Sequence, residues 1–215
     1  HLACLDVFPN AEVVACTTFE ETFKFADANP KCKIIIPIEN SLAGRVADIH
    51  YLIPKYKLQI HAEHFQNVRH NLLGVKGSSI KDIKVVRSHA QAISQCQKII
   101  FSNKLKTIIS ADTAGSAKFI SKKKDNSEAA IASDLAAKIY DLQILKSNIE
   151  DEPGNVTRFF IMGKDVKQPE LKEKKYITSC IFKLKSIPAA LYKALGGFAT
   201  NGVNLCKLES FAVKN

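Results

Sequence analysis

Four polar clusters lie at the ends of hydrophobic segments, and they contain the side chains of this 215-residue chain that are best suited to chemistry. A single cluster of this kind can be structural, because Ser, Thr, Asn and Asp are preferred at helix N-termini. Their repeated position after strand-like segments favours one shared polar cleft for a small ligand. The four clusters are Glu39-Asn40-Ser41, Ser88-His89 with Gln91 and Gln95, Asp112-Thr113, and Asn155 with Thr157-Arg158.

The segments before these clusters have the pattern of strands that lead through a tight turn into a helix. KIIIPI at residues 33–38 has the β-branched composition of a buried parallel strand, and a helix from Asn40 or Ser41 to Pro54 is predicted after it. The same succession recurs three times. It begins with KVV at residues 84–86, KTIIS at 106–110 and AAIAS at 129–133.

Capping residues predict where several helices begin. Thr17 or Thr18 starts a helix that Asn29-Pro30 ends, and residues 88–91 form a Ser-x-x-Gln capping box. Helix N-termini at the carboxyl ends of strands are where an open α/β sheet places its ligand site. Further strands are predicted from LQIHAEHF at residues 58–65, LQILKSNI at 142–149 and the segment 157–162.

The last quarter of the chain has a different organisation. Residues 164–175 are charged and contain a proline, as is typical of a linker. A strand over 176–185, a helix over 188–200 and a strand over 203–211 are predicted after it. This β-α-β unit corresponds to the first half of a small ferredoxin-like module.

The charge balance is basic, with 31 Lys and Arg against 21 Asp and Glu, and a net charge of +10. Only four of the basic residues are arginine, and the lysines are scattered along the sequence. Base-edge and bidentate phosphate contacts favour arginine, so nucleic acid is not the expected partner. A basic field suits a small anionic substrate instead.

Neither a metal site nor a membrane segment is predicted. The six cysteines lack a C-x-x-C pair and are expected to be free thiols in a reducing, cytoplasmic compartment. His61 and His64 lie three positions apart on a predicted strand and point to opposite faces, which excludes one shared metal ion. No stretch approaches 18 uninterrupted apolar residues.

Taken together, these segments resemble the prephenate dehydratases, the shikimate-pathway enzymes of phenylalanine synthesis. The resemblance covers nearly the whole chain, in the family's order and spacing. The opening HLACLDVF resembles the segment that follows the family's first strand, which is expected to precede His1. The matching motifs are PIENSLAGRV at residues 37–46, RSHAQAISQC at 87–96, SADTAGSAKFI at 110–120, AAIASDLAAKIYDLQIL at 129–145 and IEDEPGNVTRFFIMG at 149–163.

The resemblance implies an α/β fold with a two-lobed catalytic region, like the type 2 periplasmic binding proteins, followed by a partial ferredoxin-like ACT module. The catalytic region spans residues 1–163, the linker 164–175 and the ACT portion 176–215. The first lobe comprises about residues 1–68 and 149–163, and the second lobe about 69–148. The active site is expected in the cleft between the lobes.

The resemblance also implies the reaction, in which prephenate loses its ring hydroxyl and its ring carboxylate and becomes phenylpyruvate. No metal or organic cofactor is required. Thr157 is the implied hydroxyl partner of the leaving oxygen, and Glu39 is the titratable neighbour. Asn40, Ser88 and Gln95 complete the expected catalytic set, and the expected substrate-binding residues are Ser41, His89, Thr113 and Arg158.

Regulation is expected to depart from the family's pattern. The resemblance places effector residues for phenylalanine at Ala189, Leu191, Glu209 and Ser210. However, Ala189 replaces the glycine of a GAL-type motif, and Phe211-Ala212 replaces the Arg-Pro of an ESRP motif. We expect weak or absent phenylalanine binding to this chain, and a homodimer or homotetramer for the full-length protein.

Two alternatives remain open. An arogenate dehydratase shares the same motifs and accepts an amino group where prephenate has a keto group. A solute-binding module on the same fold would bind a ligand without catalysis.

Overall fold

The computed structural model describes residues 1–46, 49–165 and 176–211, which form two β-sheets with helices packed against them. The α/β class predicted from the sequence is confirmed. The strands are β1 Ile34–Asn40, β2 Gly44–Arg45, β3 Gln59–Asn67, β4 Asn71–Gly74, β5 Val85–Ser88, β6 Lys106–Ile109, β7 Glu128–Ala132, β8 Gln143–Lys146 and β9 Val156–Gly163. The helices are α1 Leu2–Val7, α2 Phe19–Ala28, α3 Leu52–Lys55, α4 Ala90–Ser94, α5 Gln97–Ser102, α6 Thr113–Lys123, α7 Asp134–Ile139 and α8 Ala190–Thr200.

The first sheet has the strand order β2-β1-β9-β3, and all of its pairs are antiparallel. Strand β1 was expected to be parallel, and this expectation is wrong, because its β-branched run is buried by α2 within an antiparallel sheet. Phe23 of α2, Ile36 of β1 and Met162 of β9 are nearly or fully buried in this core. Strand β9 pairs with two strands, β1 and β3, that both end before residue 68 in the sequence.

The helix predicted from Asn40 or Ser41 to Pro54 is also wrong. The Asn40 side-chain oxygen accepts hydrogen bonds from the backbone N–H groups of Leu42 and Ala43, at 3.0 and 2.9 Å. This Asx-type turn reverses the chain, helped by Gly44 in the left-handed region at φ +76°. Strand β2 then pairs antiparallel with β1, and the α-helix described around Pro54 is the single turn of α3.

The second sheet has the order β6-β5-β7-β4-β8, with β5 parallel to β6 and β7. Its central strand β7 is buried throughout, and its residues alternate between two cores. Ile131 packs with Ile93 and Ile99 of α4 and α5 on one side. Ala130 and Ala132 pack with α6 and α7 on the other. This sheet is therefore covered by helices on both faces.

Three other predicted helix starts are confirmed by their caps, and a second one, at Ser88, is wrong. The side chains of Thr18, Asp112 and Ser133 each accept a hydrogen bond from the backbone N–H three residues later. Ser88, in contrast, is the last residue of β5. The cap of α4 is His89, whose Nδ1 accepts from the Gln91 N–H at 3.3 Å.

In the last part of the chain, α8 is confirmed, whereas the strands predicted over 176–185 and 203–211 are wrong. A strand needs a neighbour for its backbone hydrogen bonds, and no described strand lies beside either segment. Residues 166–175 of the predicted linker, and residues 212–215, lie outside the described part of the chain. In the described part, no helix has the length and apolar character needed to cross a membrane.

Candidate active site

Asn40 and Thr157 face each other on the neighbouring strands β1 and β9. The Asn40 amide nitrogen donates to the Thr157 hydroxyl oxygen at 3.0 Å. The orientation of this amide is fixed, because the backbone N–H groups of Leu42 and Ala43 can only donate, and they bind its oxygen. The Thr157 oxygen therefore accepts from Asn40, and its own hydrogen is available for another acceptor.

The same Asn40 amide nitrogen donates to the Asn155 side-chain oxygen at 2.6 Å. Asn155 is only 4% exposed, and its amide nitrogen donates to the Gln95 side-chain oxygen at 2.9 Å. Gln95 is the C-cap of α4 and so belongs to the second sheet and its helices. These bonds connect the two sheets through side chains alone.

His70 adds a second contact at the end of this connection. Its Nε2 lies 2.9 Å from the same Gln95 oxygen. A carbonyl oxygen can only accept, so His70 Nε2 carries the hydrogen of this bond. We refer to Thr157, Asn40, Asn155, Gln95 and His70 as the amide chain.

Ser41 holds the strand ends from which the amide chain starts. Its hydroxyl donates to the Gly154 carbonyl at 3.2 Å and accepts from the Val156 N–H at 2.9 Å. Its backbone N–H also donates to the Val156 carbonyl at 2.9 Å. Ser41 thus fixes the loop before β9 against β1.

Arg158 and Glu39 lie on the other face of the first sheet, because successive strand residues point to opposite faces. Arg158 donates to one Glu63 carboxylate oxygen from both Nε and Nη2 at 2.7 Å, and its Nη1 lies 3.9 Å from Glu39. Its guanidinium also lies 5.3 Å from the Phe160 ring centroid. The structure therefore does not bring Arg158 together with Thr157.

The carboxylate of Glu39 is paired a second time, by a residue near the end of the described chain. Lys207 Nζ lies 2.7 Å from Glu39 and 3.2 Å from Glu209. Burial lowers the pKa of Lys207, but its hydrogen bonds to these two carboxylates outweigh burial, and the pKa lies above its ordinary value. Arg45 also donates to the Ser210 carbonyl at 2.7 Å. Glu39 and Arg45 therefore hold residues 207–210 beside the first sheet, through Lys207 and Ser210 respectively.

Three other predicted site residues lie apart from the amide chain. Ser88 is fully buried, and its hydroxyl donates to the Ile131 carbonyl at 2.6 Å, which joins β5 to β7. His89 is exposed and caps α4, while the half-buried Thr113 is the first residue of α6. No described hydrogen bond connects these three side chains to the amide chain.

The four predicted effector residues fall into two separate groups. Ala189 precedes α8 with a left-handed backbone at φ +61°, and Leu191 is 48% exposed on that helix. Glu209 pairs with Lys207, and the Ser210 carbonyl accepts a hydrogen bond from Arg45 of β2. This second group therefore lies beside the first sheet. Among the described residues, no hydrogen bond or ion pair joins the two groups.

Sequence reasoning did not assign a role to Asn155 or His70. Asn155 stands in one of the four polar clusters, and its place between Gly154 and a strand was the available signal. His70 precedes the apolar strand β4 by one residue, and its 6% exposure could not be seen from the sequence. In the described ranges, no group of three His, Cys, Asp or Glu side chains is arranged as a metal site.

The fold and the geometry together define a two-sheet α/β protein whose candidate site is built mainly from neutral hydroxyl and amide groups. Comparison with known proteins makes this class specific. The family model described as "Prephenate dehydratase" matches residues 1–167. The chain therefore belongs to the prephenate dehydratase family, whose members are carbon–oxygen lyases.

Individual relatives agree with this assignment. A bifunctional N-acyl-homoserine lactone acylase/prephenate dehydratase of Komagataeibacter europaeus is 38% identical over 99% of this chain and 76% of its own length. Arogenate dehydratase/prephenate dehydratase 1 of Arabidopsis thaliana is 40% identical over 97% of this chain and 53% of its own length. The chain thus spans about half the length of such plant relatives. A solved prephenate dehydratase of Arthrobacter aurescens, in complex with L-Phe, has a TM-score of 0.83 at 26% identity, over 98% of this chain and 71% of its own.

Proposed function

We propose that the full-length protein converts prephenate to phenylpyruvate, with loss of the ring hydroxyl and of the ring carboxylate as carbon dioxide. The observation that carries this proposal is the family match over residues 1–167, the range that contains the whole amide chain. Gain of aromaticity supplies the driving force of the reaction. The protein then has to hold a dianion and stabilise the departing oxygen.

Thr157 is the proposed partner of the departing oxygen. The Asn40 amide donates a hydrogen bond to the Thr157 oxygen. The Thr157 hydrogen can therefore be donated to the ring hydroxyl of the substrate as its C–O bond breaks. A Thr hydroxyl is too weak an acid to protonate that oxygen by itself, and the hydrogen bond stabilises the hydroxide that leaves. The electrons of the bond between ring and carboxylate complete the aromatic ring as carbon dioxide departs.

Gln95 is the proposed substrate-binding donor on the opposite side of the cleft. Its side-chain oxygen already accepts two hydrogen bonds, from Asn155 and His70, so its amide NH₂ group is the end that can donate to a substrate oxygen. Ser41 and Asn155 support the site from the strand ends. A role in stabilising the fold, without contact to the substrate, is proposed for Glu39, Ser88 and Arg158, because their polar atoms are bound to protein partners.

The test is conversion of prephenate by the purified full-length protein, with phenylpyruvate detected by its absorbance in alkali. We expect Thr157→Ala to lower turnover by about 10²- to 10⁴-fold, the range for a lost proton-transfer or hydrogen-bond partner. Thr157→Ser keeps the hydroxyl and is the matched control, with most of the activity retained. Wild-type turnover by Thr157→Ala would remove Thr157 from the mechanism, and an inactive wild type would contradict the proposed function.

Arogenate is the second candidate substrate, because the Arabidopsis relative at 40% identity is named for both activities. The two substrates differ only in the keto or amino group of the side chain. Steady-state kinetics on both, with the same preparation, decides between them through the ratio of the two kcat/KM values.

The division into lobes of about residues 1–68 with 149–163 and about 69–148 is also proposed, supported by the membership of the two sheets. For residues 176–215 we propose an ACT portion, which in this chain does not bind phenylalanine tightly. The supporting observations are the separation of the two groups of effector residues and the left-handed backbone at Ala189. Calorimetric titration tests this proposal, and saturable micromolar binding to this chain would refute it.

A further inference from the structure

Asn40 orients all of the amide groups in the amide chain. The backbone N–H groups of Leu42 and Ala43 fix the Asn40 oxygen, so its nitrogen must face Asn155. The Asn155 oxygen accepts that bond, which leaves its nitrogen to face Gln95. Each amide therefore sets the direction of the next, from the first sheet to the second.

This sequence of bonds ends at the Gln95 oxygen, which also faces His70 Nε2 at 2.9 Å. His70 itself is held firmly. It is only 6% exposed, its backbone N–H donates to Glu150 at 3.1 Å, and its carbonyl accepts from the Ile149 N–H at 2.8 Å. The imidazole is thus a rigid donor aimed at one end of the Gln95 amide.

We propose that His70 is a positioning residue, which acts through Gln95 and keeps the amide NH₂ group of Gln95 directed at the substrate. Without the His70 N–H, the Gln95 oxygen keeps one donor, Asn155, and the amide gains freedom to rotate about its last side-chain bond. A rotated Gln95 presents an oxygen to an anionic substrate and repels it. This inference rests on the proposed function, and it adds a residue for which no role has been identified above.

Two amide substitutions of His70 form a matched pair. A Gln side chain places its amide nitrogen near the position of His Nε2, whereas an Asn side chain ends near the position of Nδ1 and is too short to reach Gln95. We expect His70→Asn to lower kcat/KM for prephenate by about tenfold, the effect of losing one hydrogen bond that orients a substrate donor. We expect His70→Gln to restore it to within about threefold of the wild type.

A double-variant comparison separates this role from a purely structural one. If His70 acts only through Gln95, His70→Asn causes no further loss of kcat/KM in a Gln95→Leu background. The same tenfold loss in that background would overturn the proposal, as would equal losses for His70→Asn and His70→Gln in proteins that melt at the wild-type temperature. Should His70→Asn fail to fold, the His70→Gln variant carries the test, and a loss of more than about tenfold in that folded variant would contradict the proposal.

A measurement without substrate distinguishes failure of this inference from failure of the proposed function. Nitrogen-15 NMR of the imidazole in the wild-type protein is expected to show a proton on Nε2 of His70. A neutral ring protonated only on Nδ1 would overturn the inference, whatever the activity. A wild-type protein that converts neither prephenate nor arogenate would instead contradict the proposed function, with the NMR result still deciding the orientation of His70.

Discussion

At the scale of single residues, the direction of one hydrogen bond decides what Thr157 can do. A hydroxyl both donates and accepts, so its chemical role depends on which neighbour fixes it. Asn40 fixes it as an acceptor, and Asn40 is itself fixed by two backbone N–H groups of a tight turn. The turn after β1 therefore determines which groups of the site donate hydrogen bonds and which accept them.

The isosteric substitution Asn40→Asp tests this dependence. A carboxylate has no N–H, so the Thr157 hydroxyl must donate to it and loses the hydrogen proposed for the substrate. We expect prephenate turnover to fall in the order wild type, Asn40→Ala, Asn40→Asp, with a loss of about tenfold or more for the last variant. Steady-state kinetics measures the order, with melting curves as the control for folding. An Asn40→Asp enzyme as active as the wild type would show that this hydrogen bond does not matter.

Several of the site residues could be predicted from the sequence, but their grouping could not. Asn40, Gln95 and Thr157 are brought into one chain of hydrogen bonds, whereas Arg158 points to the opposite face and pairs with Glu63. Strand alternation could have separated Thr157 from Arg158, since neighbouring strand residues face opposite sides. The pairing with Glu63 depends on the register between β3 and β9, which the sequence does not specify.

At the scale of elements, the start of α8 is unusual because Ala189 has φ +61°. The left-handed region costs a residue with a Cβ about 1–2 kcal/mol relative to ordinary helical or extended backbone, and glycine adopts it freely. Ala189 stands where the resembled motif has glycine. The chain therefore carries a Cβ at a position whose backbone conformation favours glycine.

We therefore expect Ala189→Gly to stabilise the helix start. The gain is about 1 kcal/mol at most, because glycine also loses more backbone entropy on folding. Hydrogen–deuterium exchange of the α8 amides, compared between wild type and variant, is the appropriate readout for a local change. Ala190→Gly, one position later and inside the helix, is the matched control and should increase exchange. Faster exchange in Ala189→Gly would contradict the expected relief of strain.

The elements also show where local rules suffice and where they do not. Thr18, Asp112 and Ser133 cap the helices that their sequences predict, because a cap depends only on the next three residues. Asparagine is also a preferred capping residue, but Asn40 forms a turn inside a hairpin, because β1 and β2 pair with each other. That pairing is a tertiary property and overrides the local preference.

At the scale of the whole molecule, the two sheets are joined where the chain crosses between them twice. The Val68 N–H donates to the Asn155 carbonyl at 2.8 Å, and the Ile149 N–H donates to the His70 carbonyl at 2.8 Å. Glu150 adds a charge to this connection. Its side chain is only 5% exposed, and Arg69 donates to it at 2.8 Å.

The contribution of Glu150 to the stability of the protein should depend on pH. Burial raises the pKa of Glu150, but hydrogen bonds from Arg69 and from backbone N–H groups outweigh burial, and the pKa lies below its ordinary value of 4.5. The ionised carboxylate therefore stabilises the native state fully above about pH 4.5, and this contribution is lost as the pH falls through the lowered pKa. We expect Glu150→Gln to reduce the free energy of unfolding by on the order of 1–3 kcal/mol at pH 7, with a smaller difference from wild type in acid.

Urea unfolding of both proteins across this pH range measures the difference. The exposed Glu152→Gln, two residues away, serves as the control and is expected to change little, because its partner Lys98 is also exposed. A difference between wild type and Glu150→Gln that stays constant from pH 7 to pH 3 would contradict this account.

The position of β9 between β1 and β3 has a consequence for the order in which the molecule forms during synthesis. The second sheet is complete once residues 71–146 have left the ribosome, whereas the first sheet lacks an interior strand until residue 163 has emerged. Nascent β1 and β3 must therefore wait for β9, because the second sheet lies between β3 and β9 in the sequence and is synthesised first. Contacts across so many residues also form slowly. Nascent chains arrested when residue 146, but not β9, has left the ribosome should thus already protect the second sheet from protease, with the first sheet still open to cleavage.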